Sequence, residues 1–154
     1  MTDELTILRF SVPGTPRPQG SLKIVTSRAN GQPIAVNSNT TADHRNMFVA
    51  AASAAWGARP PVTTAVELWA VYVFTRPKGH WGTGRNAEVL RASAPPEHIT
   101  PPDKDKLTRL VGDALVLAGV LHDDSLIVTS HERKRYQNHL YEKPRTEIEL
   151  RWVR

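Results

Sequence analysis

"TPPDKDKLTRLVGDALVLAGVLHDDS", residues 100–125, decides how the chain is read, because it sets two pairs of carboxylates on either side of a helical pattern. Pro101 and Pro102 oppose helix before them, and Asp103 stands where an N-cap belongs. Leu107, Leu110, Val111, Ala114, Leu115 and Ala118 then recur at spacings of three and four, and Gly119 is a natural stop. The pattern predicts a helix over about residues 104–118 whose start carries Asp103 and Asp105. At about 100° per residue, Asp105, Arg109 and Asp113 share the edge away from the apolar stripe.

Taken singly, each of these charges has an ordinary structural use. Asp103 suits capping, Asp105 suits the positive end of the helix dipole, and Arg109 with Asp113 suits a surface ion-pair ladder. Asp123 and Asp124 alter that weighing. They follow a tight return from the helix and immediately precede a strand, so the chain can bring them back beside residues 103–105. Carboxylates meeting there repel and raise one another's pKa unless a cation lies between them. Oxygen-only ligands suit Mg2+ or Mn2+ rather than zinc.

Other site chemistries are excluded on spacing. After Asp103 and Asp105 the chain enters a helix, without the glycine and glutamate of a calcium-binding loop. The six histidines, at 44, 80, 98, 122, 131 and 139, show no zinc-helix pairing. No phosphate-binding Gly-Lys-Ser loop and no Gly-x-Ser-x-Gly elbow occurs, so no nucleotide cofactor is expected. Cysteine is absent, which removes disulfides, thiolate sites and cysteine nucleophiles together.

Outward from that stretch, the remaining elements alternate with loops. "LTILRFSV" (5–12) reads as a first strand ended by "PGTPRPQG", and two apolar runs around "ANGQ" (29–32) read as a hairpin or irregular excursion. "TTADHRNMFVAAASAAWGARPP" (40–61) is a helix, with Thr40 and Asp43 as a capping box and Gly57 and Pro60 as stops. "TAVELWAVYVF" (64–74) is a strand whose nearly continuous apolar character makes it central. "SLIVTSHERKRY" (125–136) and "RTEIELRWV" (145–153) are two more strands, read as an antiparallel pair, with Ile148, Leu150 and Trp152 on one face of the second. Residues 76–101, after the strand at 64–74, form a long loop with at most a short turn near "NAEVL". A loop of that length in a compact domain usually has a function. Its Lys78, His80, Trp81, Arg85 and Arg91 supply cations and aromatics suited to phosphates and bases.

At 154 residues the chain suits one domain, a small α/β (α+β) fold with a mixed, mainly antiparallel sheet of about four strands packed against two helices. The formal net charge of +5 points to a polyanionic partner. The start "MTDELTILRF" has acids where a signal peptide has bases, and no apolar run reaches membrane-spanning length. A cytoplasmic protein without a membrane partner is expected.

The motifs together resemble the RusA family of Holliday-junction resolvases, endonucleases common in phages and prophages. The resemblance rests on "VPGTPRPQGS" (12–21), "RPKGHWGTGRNAEVLRASAPPEH" (76–98) and above all "PPDKDKLTRLVGDALVLAGVLHDDSLIV" (101–128). In the last, Asp103, Asp105, Lys106, Leu107, Asp113, Ala114, Leu115, Gly119, Asp123 and Asp124 occupy the places of the family pattern. The match implies that Asp103, Asp105 and Asp124 are the metal-binding catalytic acids, with Asp123 as a further metal ligand. Arg109 stands where family members can carry a required lysine, so its charge role is kept and any role as a compact or proton-donating ammonium is in doubt.

The resemblance further implies a homodimer and Mg2+-dependent nicking of a four-way DNA junction, with Mn2+ as a substitute metal and the host-cell cytoplasm as the place of action of a phage-encoded enzyme. The charge pattern divides accordingly. Residues 76–91 hold four Lys or Arg against one Glu, and residues 131–145 hold five against two. Lys78, His80, Arg85, Lys106, Arg133 and Lys134 are the candidate DNA contacts, touching backbone phosphates without reading bases. Charges on "HERKRY" that merely discourage strand-edge aggregation are the plainer reading of that segment. The competing functions are a nuclease for flaps or forks, an inactive junction-binding module, and a basic structural protein with an ion-paired helix.

Overall fold

The computed structural model describes residues 3–19, 23–36 and 39–154. Alternating sequence at both ends of the chain gives strands β1 (Leu5–Pro13) and β6 (Arg145–Val153), paired antiparallel along their whole length. The short strands β2 (Lys23–Thr26) and β3 (Pro33–Val36) form the separate hairpin expected around Asn30-Gly31. Helix α1 (Asn39–Trp56) precedes the central strand β4 (Val66–Phe74); helix α2 (Lys104–Leu117) precedes β5 (Ile127–Tyr136). Both helices end at a glycine with positive φ, Gly57 at 74° and Gly119 at 74°, a conformation side chains with a Cβ rarely adopt. The helix begins at Asn39, so Thr40 lies inside it and not at the predicted N-cap position; the Thr40 side chain, on which the predicted capping box with Asp43 depends, falls outside what is described.

The main sheet has the order β1-β6-β4-β5, a mixed, mainly antiparallel sheet in a single small α+β domain. One predicted pairing is corrected: β5 and β6 are not neighbours, because β4 lies between them. β5 runs parallel to β4, and parallel neighbours need a crossover, which α2 supplies. β6 then returns antiparallel to both β4 and β1.

One face of the sheet carries the core. Leu8 and Val12, Val66, Leu68, Ala70 and Tyr72, and Ile148, Leu150 and Trp152 pack against Phe48, Ala52 and Trp56 of α1 and Leu107, Leu110, Val111, Ala114 and Leu115 of α2. The stripes at four-residue spacing in α1 and three-and-four spacing in α2 therefore meet the period-two stripes of the strands. Each large aliphatic or aromatic side chain so buried contributes about 1.5–3 kcal/mol. The opposite face is polar and open: Arg9, Glu149 and Arg151 form a chain of ion pairs, while Trp69 lies between the Arg151 guanidinium and the His131 ring.

The long loop is ordered by local devices. It contains two short 3-10 turns, Lys78–His80 and Gly84–Asn86, the second slightly earlier than the turn expected near "NAEVL". A bridge joins Trp81 to Leu90. A Cβ at Gly82 would collide with the carbonyl oxygen of Asn86, so only glycine permits this close return. Arg76 is buried and donates to the carbonyls of Pro95 (2.6 Å) and Gln137 (2.7 Å), fastening the far end of the loop to the sheet. Residues Pro96–His98 then run along the free edge of β5, through Tyr136 N–H to Pro96 and His98 N–H to Lys134.

Candidate active site

Helix α2 begins where the sequence predicts, with Asp103 at the N-cap position, yet the Asp103 carboxylate makes no capping hydrogen bond. Its closest cation is Lys106 at 3.9 Å, and both side chains are largely exposed. The expected ion-pair ladder is also not formed: among the described residues, none of Asp105, Arg109 and Asp113 takes part in an ion pair. Asp113 instead accepts a hydrogen bond from the Gln19 side-chain amide. Gln19 N–H also donates to the Lys106 carbonyl at 3.1 Å, so the "PRPQ" segment is tied alongside α2 at two points. The other side-chain atom of that amide, Gln19 Oε1, is buried without a hydrogen-bond partner among the described residues.

The return from α2 is anchored by Val62, which exchanges backbone hydrogen bonds with Val120 and His122. Val120 and Leu121 are buried, and the next two residues fold back toward the helix. Asp123 accepts from Ser125 N–H at 2.8 Å and caps the 3-10 turn Asp124–Leu126. The Ser125 hydroxyl and then its N–H hold the Asp123 carboxyl below the usual carboxylate range. Asp124 is set by a feature the sequence reading passed over. A Cβ at Gly112 would sit at ordinary contact distance, 3.5 Å from Asp124 Cβ and 3.9 Å from its Oδ2, so Asp124 packs directly over this position of α2, where only a small residue fits without displacing it. A glycine costs a helix interior about 1 kcal/mol relative to alanine, and that cost was the signal available in the sequence.

The acids therefore lie along one edge of α2. Asp105 and Gly112 are seven residues apart on the same face, about 10 Å along the axis, with Arg109 exposed between them. At the far end an open cleft of about 330 Å³ is lined by Asp113, Asp123 and Asp124 together with Val116, Leu117 and Arg45 of α1. Arg45 was not singled out from sequence, because its proximity depends on how α1 crosses α2. Among the described residues, no three histidine or acidic side chains are gathered closely enough to enclose a metal ion. The donor chemistry along the edge still fits magnesium, which binds through one or two carboxylates and completes its shell with water and substrate phosphate oxygens.

The candidate DNA contacts divide sharply. Lys78 and Arg85 are exposed on the two 3-10 turns, and neither has an ion-pair partner among the described residues. His80 is half-buried, edge-on to Tyr136 and 3.4 Å from the Arg76 guanidinium. Trp81 is 6% exposed, so it packs inside the loop instead of offering a stacking surface, and Arg91 Nε donates to its carbonyl. On β5 the cations have internal partners: Arg133 forks onto Glu97, Lys134 donates to the carbonyls of Thr100 and Pro102, and Arg135 pairs with Glu142. Burial draws Lys134 below the usual lysine range, and the nearby Asp103 charge opposes that shift.

A small mixed α+β domain with an acid-edged helix and a basic loop is the class that fold and site define together. The RusA endodeoxyribonuclease family model matches residues 13–151, and the chain belongs to that family, the Holliday-junction resolving endonucleases. The match takes in every candidate site residue. No curated protein matches the chain. Among the described residues, no helix is long and apolar enough to cross a membrane.

Proposed function

We propose that this chain is a magnesium-dependent, structure-specific endonuclease that opens four-way DNA junctions by paired nicks, acting as a homodimer. The observation that carries the reading is the α2 edge: Asp103 and Asp105 at one end and Asp124 against Gly112, in a chain of the RusA family. A divalent cation bound there supplies Lewis acidity toward the scissile phosphate and a water of lowered pKa. Asp103 and Asp105 at the start of the helix, and Asp124 about 10 Å further along it, are the carboxylates that would hold such cations, each through one or two oxygens with water and phosphate completing the shell, and Asp113, bound to Gln19, keeps the neighbouring segment in place. Arg109 is the cation on the same edge available to negative charge that develops on the phosphate. Lys78 and Arg85 contact backbone phosphates, so preference for branched DNA comes from shape.

Two-fold symmetry accounts for paired nicks, because two copies present identical acid edges to a substrate of similar symmetry. The test is nicking of synthetic four-way junction, fork, flap and linear duplex across a magnesium series, with sedimentation of the free protein in parallel. Symmetric junction cuts by a dimer are expected. Equal cutting of linear duplex would remove the structure-specific reading, and preference for flaps or forks would reassign the substrate.

A further inference from the structure

Among the described residues, the one ion pair made by Asp103 or Asp105 is the long, exposed pair of Asp103 with Lys106, and the Asp103 carboxylate makes no capping hydrogen bond. Their position must come from the backbone that carries them. That backbone is gripped from β5, where Glu132 and Lys134 stand two residues apart and therefore on one side of the strand. Lys134 Nζ donates to the carbonyl oxygens of Thr100 and Pro102, each at 2.7 Å, and Glu132 lies 3.7 Å from Lys104 Nζ. The Lys134 carbonyl also accepts from His98 N–H at 3.2 Å. Residues 100, 102 and 104 bracket Asp103 and lead directly to Asp105. An ammonium has three donors and no acceptor, so two of its three directions point inward, away from any DNA phosphate. From the other side, Tyr72 hydroxyl and Thr108 hydroxyl, 2.9 Å apart, pin the second turn of α2 to β4.

We propose that Lys134 is a positioning residue for the acid edge: by locking the Thr100–Pro102 backbone, its ammonium holds Asp103 and Asp105 where they meet the substrate. This rests on the nuclease reading above, and it replaces direct DNA contact as the role of Lys134. A neutral side chain of similar length leaves both carbonyls to water and frees the segment, while β5 keeps its backbone pairing to β4. Loss of a group that orients such ligands typically costs 10–100-fold in activity or metal affinity.

The experiment compares wild type, Lys134→Met, Lys134→Arg and Asp105→Asn. It measures junction nicking over a magnesium series, junction binding in calcium across a salt series, and amide exchange of residues 99–106 in the metal-free protein. Lys134→Met is expected to lower kcat about 10–100-fold and raise the half-saturating magnesium concentration. Its junction affinity and salt slope should stay as in wild type, and exchange should quicken within residues 99–106. Lys134→Arg, whose fork can still donate to two carbonyls, should recover most of the activity. Should Lys134→Met not fold, Lys134→Gln, which keeps one donor group, carries the same readouts with a smaller loss. Wild-type kcat in the neutral variants, unchanged exchange, or weakened binding with a flattened salt slope would each overturn the proposal. If wild type fails to nick junctions, the nuclease reading falls, while the exchange measurement still decides whether Lys134 holds the segment.

Discussion

The loop of residues 76–91 and the β5 region of residues 131–145 are both basic, yet they hold their charges differently: Arg76 and Arg91 of the loop donate to backbone carbonyls, which leaves Lys78 and Arg85. On the loop, Lys78 and Arg85 stand exposed on short turns without an ion-pair partner among the described residues. In the β5 region, Arg133 is forked onto Glu97, Arg135 onto Glu142, and Arg145 onto Glu142 and Glu147. A phosphate approaching β5 must compete with carboxylates already in place; one approaching the loop displaces only water and counterions. A count of basic residues therefore locates an anion site only after internal partners are subtracted. On the proposed function, the loop is then the expected binding region and β5 the scaffold.

The largest expected effect separates the regions directly. Replacing Lys78 and Arg85 together by alanine should weaken junction binding and lower the slope of log affinity against log salt by about 2, one for each lost phosphate contact. Thermal stability should not change, because neither side chain holds the fold. An unchanged slope in a binding titration at several salt concentrations would place the contacts elsewhere.

Next in size is Glu142, which accepts from Arg135, Arg145 and the backbone N–H of Asn138. Those partners, Arg135 first, draw its pKa down to about 2. Because the folded value lies below the unfolded one, its stabilisation is complete above about pH 4.5 and is lost as pH falls from there toward 2. Glu142→Gln should cost about 2 kcal/mol at neutral pH and flatten the loss of stability in that acid window, with junction binding unaffected. Chemical denaturation across pH checks both; a binding defect of the kind expected for the loop would erase the contrast.

Gly112 sharpens the scaffold side of the comparison. The 3.5 Å approach to Asp124 Cβ leaves ordinary contact distance for a methyl group, so Gly112→Ala should fold, gain up to about 1 kcal/mol from helix propensity and keep nicking activity. Gly112→Leu should displace Asp124 and lose activity out of proportion to its melting temperature. Equal activity in the two variants would detach Asp124 from the site. The smallest effect is predicted for Arg133→Met, which breaks an exposed pair worth about 0–1 kcal/mol and should leave the salt slope nearly as it was.

Much of this arrangement is written locally. The apolar spacing of Leu107 to Leu115, the alternation in residues 145–153 and the stops at Gly57 and Gly119 all act through neighbours a few residues away, and the helices and strands follow them. The order of strands does not: whether β5 lies beside β6 or β4 depends on the α2 crossover, a long-range packing outcome. The state of the β5 cations was equally hidden, since Arg133 meets Glu97 only after the long loop has folded back along the strand. The buried place of Trp81 depends on the same folding of the loop. For the candidate site, residue types and order were legible in "DKDKLTRLVGDALVLAGVLHDD", whereas the pressing of Asp124 against Gly112 and the turn of Arg45 toward Asp113 and Asp124 require two helices and a return loop in three dimensions.

The most direct measurement is magnesium-titrated nicking of a synthetic four-way junction by wild type and Asp105→Asn, with junction binding followed in the same samples. Paired, magnesium-dependent cuts are expected from wild type, and binding without cleavage from the variant. Cleavage by Asp105→Asn at the wild-type rate would contradict it.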